Sequence, residues 1–540
     1  MEELQELIGF ISRNKIKQLE WIGSQGRKGK GASQIQELYN GISDGRFQTE
    51  EEVADHFFGG NPRKVQYARR LMQKLRTRLH NTLFFIDLNQ PRFNDILQAY
   101  YQSHKDYAVF KILLGQNLTA SSISLGEDIL QRSLKYGFPY LTMELARNLM
   151  SQYRVSKIEK NKTQYYQRLM FEQFELYQAE IKTEAYFEEL AVHFAQSRSS
   201  KPEMAKLAIQ YSREVEDYLK RFRTYRLVLN GYRVLAMRYQ IENDYENTIA
   251  ISRKALSVIE KDPTLNTNTA LVIFHFNILQ SCILLRRFEE GEQAAQRCLA
   301  LVPEGNTNWF FVLELHLMLA FHTNKFQKAY EVLRVALGHP GHKKLSEAIR
   351  EQWTVYKAYV QYFISIGKIR SAGGKEQVQS FRIGKFLNEV PTFSKDKRGV
   401  NVSIIIIQTL FLLHKREFGQ IIDRVEALNM YRHRYLRRDD MFRSNCFIQM
   451  LLQVPAANFN RIATVRRTQK FMDQLKEVPI ETARQGGEIE VIPYETLWRF
   501  VLQSLELKPK TKRVEWANRK RGVLSDRPRR NEDGKQDTDE

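Results

Sequence analysis

The sequence is poor in the residues that interrupt or cross-link a chain. Its 540 residues include 13 prolines and three cysteines, Cys282, Cys298 and Cys446. Three cysteines without a CxxC pair exclude a disulfide framework and the common cysteine-based zinc sites. Apart from residues 488–493, apolar and polar residues alternate for no more than a few positions, which argues against a mainly β fold. With so few prolines, long helices can form without interruption.

The sequence also lacks an apolar run that could span a bilayer. Its most apolar stretch, residues 400–413, is shorter than the about 20 residues a spanning helix needs, and it contains Asn401, Ser403 and Gln408. This stretch therefore predicts a buried core helix. The chain opens with acidic residues where a secretory signal would be basic. We expect a cytoplasmic protein without membrane insertion.

The residues that are abundant favour a folded helical protein. Hydrophobic residues make up 43% and charged residues 27%, which is typical of soluble globular chains. Segments such as 171–190 and 271–285 repeat apolar residues at the three- and four-residue spacing of a helix. The sequence therefore predicts an all-α fold, and its length predicts several domain-sized units.

One pattern recurs three times between residues 236 and 340. An aromatic residue is followed three positions later by a small residue, ten and eleven positions later by a small residue and Leu, and then by a proline. The three units start at Tyr245, Phe288 and Phe326, and their packing positions include Ala255, Cys298, Ala329 and Ala336. Offsets of 0, 3, 10 and 11 lie on one side of a helix, so these seven residues are predicted to pack between neighbouring helices.

This pattern resembles the second helix of the tetratricopeptide repeat. The spacing between aromatics is longer than that family's period of about 34 residues, and the first helix lacks the family's Trp and Gly-Tyr signature. As a whole, the chain also resembles bacterial proteins with degenerate repeats of this kind. The resemblance implies a right-handed superhelical α-solenoid of stacked antiparallel helix pairs and implies no activity.

Four segments are predicted from these features. Residues 1–32 form an N-terminal helix and a Gly/Lys-rich linker, and residues 33–90 form a small helical unit with a basic helix. Residues 91–507 form the solenoid, and residues 508–540 form a tail that is first basic and then acidic, with a composition typical of disorder.

The chain carries a formal net charge of +21, which indicates an anionic partner. Three windows hold the surplus. Residues 61–80 contain seven Lys or Arg and no acid, residues 430–470 contain nine against two acids, and residues 508–530 contain ten against two. Basic residues confined in this way favour a localised anion-binding surface over a uniformly basic protein.

The first window follows a helix start signal. Thr49 and Glu52 form a T-x-x-E capping box before a short helix, a Gly-containing break follows, and a second helix runs to about Phe85. The second helix carries the candidate anion or nucleic-acid contacts Arg63, Lys64, Arg69, Arg70, Lys74, Arg76 and Arg78. This outline is typical of a helix-turn-helix reader and loosely resembles the effector domains of bacterial response regulators. The alternative is an amphipathic helix with a solvated basic face.

The second window offers a weaker set of contacts. Arg432, Arg434, Arg437 and Arg438 alternate with Tyr431 and Tyr435. Exposed tyrosines beside arginines could stack bases and bind phosphates. Alternatively, the two tyrosines, four residues apart, pack inward and leave the arginines solvated.

No established catalytic, cofactor-binding or metal-binding motif is present, so the sequence predicts no such residue and a protein that is not an enzyme. The leading hypothesis is a helical-repeat scaffold that binds a protein or peptide in a concave groove, with contacts in 233–240, 277–281 and 316–324. The alternative is a nucleic-acid-binding regulator that uses the basic helix 61–85 and a partner-sensing solenoid.

Overall fold

The computed structural model describes residues 1–13, 30–88, 95–196, 201–370, 400–436, 441–478, 480 and 490–506. Within these ranges the regular elements are helices and no strand is present, so the all-α prediction is confirmed there. No helix in the same ranges is both long enough and apolar enough to cross a membrane. The predicted tail 508–540 and most of the predicted linker lie outside the described residues.

The helices belong to two compact units, Met1–Gln178 and Ala179–Glu540, and the boundary falls inside one long helix. The helices of the first unit are α1 (Glu2–Arg13), α2 (Lys30–Ser43), α3 (Glu50–Phe58), α4 (Lys64–Leu83), α5 (Asp95–Gly115), α6 (Thr119–Tyr136), α7 (Pro139–Gln152) and α8 (Lys160–Gln196), which continues past the boundary. Those of the second unit are α9 (Lys201–Arg221), α10 (Tyr225–Ile241), α11 (Tyr245–Glu260), α12 (Asn268–Leu284), α13 (Phe288–Leu301), α14 (Thr307–His322), α15 (Phe326–Gly338), α16 (Glu347–Ser365), α17 (Val400–Lys415), α18 (Phe418–Tyr435), α19 (Phe442–Ala456), α20 (Arg461–Glu477) and α21 (Tyr494–Glu506).

The first unit contains two hydrophobic cores. Helices α1 to α4 share one core, to which α1 contributes Leu4, Ile8 and Ile11. Helices α5 to α8 share the other, which includes Phe110 and Leu145. The first helix of the chain is thus packed with the basic helix α4 in a single small bundle.

A partly buried polar cluster adds contacts to the second of these cores. The Glu127 carboxylate on α6 accepts hydrogen bonds from Tyr153 (2.7 Å), Tyr166 (2.9 Å) and Lys162 (3.1 Å). Burial by itself raises the pKa of Glu127, but these three donors lower it below its ordinary value. The ionised carboxylate therefore ties α6 to α8 and to the turn that precedes α8.

The second unit repeats one helix-to-helix turn. In each copy a non-glycine residue with positive φ stands two positions before the next helix begins, at Asn243 (57°), Arg286 (56°), Asn324 (59°) and Arg416 (59°). The following amide donates to the carbonyl oxygen five residues back, as in Lys325 to Ala320 at 2.8 Å. This geometry closes the C-terminus of a helix by satisfying its free carbonyls. The turn precedes Tyr245, Phe288 and Phe326, where the three copies of the sequence pattern start, and it occurs once more before Phe418.

The predicted packing positions are mostly buried. Ala255, Cys298, Phe326, Ala329 and Ala336 are buried, whereas Tyr245 and Phe288 are half-buried. The small residue three positions after the aromatic has a steric reason in the unit that starts at Phe288. There the residue is Gly291, and a Cβ atom on it would lie 2.7 Å from Leu319 Cδ2 and 3.0 Å from Cys282 Cβ. Helix α13 can therefore approach α12 and α14 closely only because this position carries no side chain.

Helix α17 confirms the prediction of a buried core helix at 400–413. Ile404, Ile407 and Leu410–Leu413 are buried. The helix lies in a large core that also contains Phe326, Phe363 and Phe500. Phe326 stacks on Phe363 with ring centroids 4.1 Å apart, and Phe500 contacts both rings. The last described helix is thus packed against residues far from it in sequence.

A buried ion pair holds the segment before α21. Arg443, which is 0% exposed, donates to Glu490 Oε1 at 2.6 Å and to Glu495 Oε1 at 2.8 Å. It also donates to the carbonyl oxygens of Leu475 (2.9 Å) and Val478 (2.7 Å). Burial by itself lowers the pKa of Arg443, but the two carboxylates raise it above its ordinary value. The guanidinium therefore stays charged and joins α19, α20 and α21.

A buried histidine extends this contact to α14. His322 Nε2 hydrogen-bonds the carbonyl oxygen of Glu490, and burial lowers the pKa of His322 to about 4. The imidazole is therefore neutral at physiological pH, and its Nε2–H is the donor. Residues 168 positions apart are joined at this point.

We expect Arg443→Met to destabilise the second unit by about 3–5 kcal/mol, because it leaves the Glu490 carboxylate buried without its partner. The measurement is urea unfolding followed by tryptophan fluorescence, since Trp353 and Trp498 belong to this core. Arg461→Met is the matched control, because the Arg461–Glu506 pair is about half exposed, and it should change stability by about 1 kcal/mol or less. Equal effects of the two substitutions would contradict a structural role for the buried pair.

A second buried carboxyl makes stability depend on pH. Burial raises the pKa of Glu180 to about 7. The Thr224 hydroxyl, which donates to Oε1, and the nearby Arg226 both lower this pKa, but by less than burial raises it. The folded state therefore binds more protons than the unfolded state between pH 4.5 and 7. It follows that Glu180 lowers the free energy of unfolding as pH rises through this range.

We expect Glu180→Gln, which keeps an acceptor for Thr224, to be more stable than the natural protein at pH 8 by roughly 1–3 kcal/mol. The difference should vanish near pH 4. Thermal or urea unfolding at several pH values measures it, and the exposed Glu188 on the same helix provides the control substitution Glu188→Gln. A difference that does not change with pH would show that the titration of Glu180 has no part in it.

Candidate functional site

The candidate site is built on the helix–break–helix formed by α3 and α4. The predicted capping box is confirmed: the Glu52 amide donates to Thr49 Oγ1 at 3.2 Å, and the Thr49 amide donates to Glu52 Oε2 at 3.3 Å. Gly60 has φ +84°, a conformation that favours glycine, so the chain can reverse there. The second helix ends at Leu83, two residues before the predicted end.

Helix α4 divides its residues between a core side and a solvent side. On the core side, Ala68, Leu71, Met72, Leu75 and Leu79 are buried and Val65 is half-buried, as expected of an amphipathic helix. These residues pack with α1, α2 and α3. The register of the helix is thereby fixed, and so are the directions in which its seven cations point.

Three of the seven candidate cations are neutralised by neighbouring helices. Arg69 donates to both Glu50 oxygens, at 2.8 and 3.0 Å, and this hydrogen bonding lowers the pKa of Glu50. Arg76 forms an ion pair with Glu3 of α1 at 2.9 Å. Lys64 pairs with Asp55 of α3. These three residues link α4 to α1 and α3 and contribute little net charge to the surface of the bundle.

The other four cations share one side of α4. Arg63, Arg70, Lys74 and Arg78 are separated by seven, four and four residues, which places them along one stripe of the helix. The first three are exposed and Arg78 is half-buried. Among the described residues, no carboxylate forms an ion pair with any of them. We call this stripe the α4 basic face.

Uncharged side chains complete the α4 basic face. Gln66 is exposed, and Tyr67, which is 36% exposed, packs against Phe58 with ring centroids 5.6 Å apart. The guanidinium carbon of Arg70 lies 5.9 Å from the centre of the Tyr67 ring. The face therefore combines phosphate-binding cations with an amide and an aromatic edge.

The sequence does not show which of the seven cations have carboxylate partners. All seven are predicted as equivalent contacts, although the acidic residues that neutralise three of them are visible at Glu3, Glu50 and Asp55. The signal was the acidic run 50–52 at the start of α3, which we interpreted only as a cap. Which cation meets which carboxylate depends on the packing of α1 and α3 against α4.

The tyrosine–arginine part of the second basic window, described here for residues 431–436, does not form a comparable surface. Tyr431 and Tyr435 are half-buried and pack against the core. This agrees with the alternative in which the two tyrosines pack inward. Arg432 hydrogen-bonds Asn429 at 3.1 Å, and the guanidinium carbon of Arg434 lies 5.4 Å from the centre of the Tyr435 ring. Arg437 and Arg438 lie outside the described residues. Arg443 of the same window is the buried cation of the ion pair described above.

The three predicted groove ranges differ in exposure. Within 233–240, Arg233, Met237 and Gln240 are half-buried, as are Asn277 and Gln280 within 277–281. Gln240 Nε2 donates to Asn277 Oδ1 at 3.4 Å, which joins the two ranges. By contrast, residues 316–322 are buried and cannot line an open groove.

No group of three or more His, Cys, Asp or Glu side chains among the described residues could hold a metal ion. Burial raises the pKa of the Cys282 and Cys298 thiols to about 12 and that of Cys446 to about 11. The thiolate, which is the nucleophilic form of cysteine, is therefore scarce at neutral pH.

Comparison of the chain with protein-family models, with curated proteins and with solved structures finds no match. The resemblance to tetratricopeptide repeats stays a prediction from the sequence.

Proposed function

We propose that this protein binds nucleic acid, and specifically duplex DNA, through the α4 basic face. The observation that carries the proposal is the placement of Arg63, Arg70, Lys74 and Arg78 on one side of a helix without carboxylate partners among the described residues. A helix of this kind fits the major groove of DNA, with the preceding helix lying across the backbone.

The physical basis of the proposed affinity is the release of counterions from phosphates. Four cations that contact phosphates predict a slope of about −3 to −4 in a plot of log binding constant against log salt concentration. Lys64, Arg69 and Arg76 already have carboxylate partners, so they should add little to this slope. Their proposed part is to fix the direction of α4.

We expect the charge-reversed double variant Arg70→Glu/Lys74→Glu to lose salt-sensitive binding to mixed-sequence duplex DNA. The measurement is fluorescence anisotropy across a salt series with the full chain, with circular dichroism as a check of folding. The variant loses two proposed phosphate contacts and gains two carboxylates, which the phosphates repel. Its affinity at low salt should therefore be lower by at least tenfold.

The adjacent residues Arg69 and Arg70 supply a matched pair of variants. Arg70→Gln should reduce the salt slope by about 1, because Arg70 has no carboxylate partner. Arg69→Gln should leave the slope nearly unchanged, since Glu50 already neutralises Arg69. Equal effects of the two variants, or no binding above low salt, would contradict the proposal.

A second candidate function is binding of a protein or peptide by the second unit, without catalysis. The observation in its favour is the joined row of half-buried side chains on α10 and α12, which includes Arg233, Gln240, Asn277 and Gln280. The close approach of α13 to both α12 and α14 at Gly291 supports stacking of helix pairs. We propose that this stack is a tetratricopeptide-like, right-handed solenoid. Such a stack would present the first helices on its concave side, in a protein that we continue to place in the cytoplasm.

We expect peptide display on the full chain to enrich a consensus that Asn277→Arg abolishes, because a long cation at this position would block the row. Lys254→Glu, at an exposed position of α11, is the control and should leave the selected peptides unchanged. Absence of an enriched consensus, or one that survives Asn277→Arg, would exclude this surface.

A further inference from the structure

The α4 basic face is not uniformly charged, and one of its uncharged side chains is an amide near its start. Gln66 is the third residue of α4 and stands between Arg63 and Arg70 along the face. Its side chain is exposed, and among the described residues it has no hydrogen-bond partner. An amide with a free donor and a free acceptor is therefore presented beside two unpaired guanidinium groups.

The other glutamine exposed on α4 differs in this respect. Gln73 Oε1 accepts a hydrogen bond from Arg76 Nη1 at 2.6 Å. Arg76 is in turn paired with Glu3. Gln73 is thus held on the flank of the helix that faces α1, whereas Gln66 has both amide atoms available to a ligand.

The chemistry of a free amide suits one kind of contact in DNA. A glutamine side chain can make two hydrogen bonds to the major-groove edge of adenine. Its amide N–H donates to N7, and its amide oxygen accepts from the N6 amino group. Contacts to phosphates carry no sequence information, so base discrimination requires a side chain that reaches a base edge. Gln66 offers an amide, whose donor and acceptor match those of adenine.

The position along the helix agrees with this role. When a helix enters the major groove, its N-terminal residues contact base edges. Gln66 lies in the first turn, and Lys74 lies about 12 Å further along the axis, at about 1.5 Å per residue. The first turn would therefore meet the bases while Lys74 and Arg78 meet phosphates.

We infer that Gln66 reads an A·T pair in the major groove and gives the protein a sequence preference on duplex DNA. This inference rests on the proposed function. It names Gln66 as the specificity-determining residue and assigns Lys74 and Arg78 to the backbone.

The test is selection of random duplexes by the full chain, followed by affinities of the selected site and of its single-pair variants. The natural protein should prefer adenine at one position by about 5- to 100-fold, the range expected of one paired amide contact. In Gln66→Ala this preference should fall to about 1, while affinity for unselected duplex changes by less than twofold. Gln73→Ala should keep the preference, and Lys74→Ala should weaken all duplexes alike.

The possible failures are distinguishable. Absence of salt-sensitive binding to any duplex would overturn both the proposed function and the inference. Binding without a preferred site, or a preference that survives Gln66→Ala, would overturn the inference and leave the proposed function standing. Tighter binding to single-stranded DNA or to RNA than to duplex would also overturn it, because the major-groove contact would then be absent.

Discussion

The described helices carry apolar residues that only neighbouring helices can cover, and this constraint organises the rest of the structure. A single amphipathic helix cannot bury its apolar residues, so stability comes from packing between helices. In the first unit the constraint produces two small cores. In the second it produces larger cores in which residues such as Phe310, Tyr356 and Phe363 are fully buried. The polar and charged residues are then distributed according to what packing leaves exposed.

The basic helix α4 shows how packing gives similar residues different roles. Its seven cations look equivalent in the sequence, yet the core side fixes the helix so that three of them meet carboxylates on α1 and α3. The other four lie on the side of α4 that faces away from the core. A charged pair at the surface contributes little to stability, so the main consequence of the pairing is electrostatic: it removes charge from the flanks and concentrates what is left on one stripe.

The buried polar groups of the second unit follow the opposite rule. Arg443, Glu490 and His322 are enclosed, and each is hydrogen-bonded to a partner from a distant part of the chain. Removing one partner from such a pair costs more than the pair contributes, because the other charge stays buried. The main effect of these contacts is therefore to determine the position of the segment 490–495. Their net contribution to the free energy of unfolding is smaller than the cost of removing one partner.

The sequence by itself determined the helical class, the capping box at Thr49, the core helix at 400–413 and the buried side of α4, because these follow from residue spacing within one element. It also located the recurring pattern around Tyr245, Phe288 and Phe326. Tertiary structure alone decided which cations are neutralised, that residues 316–322 are buried, and that Arg443 is a core residue and not a surface cation. The reason is that a spacing rule assigns a residue to a side of its own helix, whereas charge compensation and burial depend on residues that other helices bring against that side.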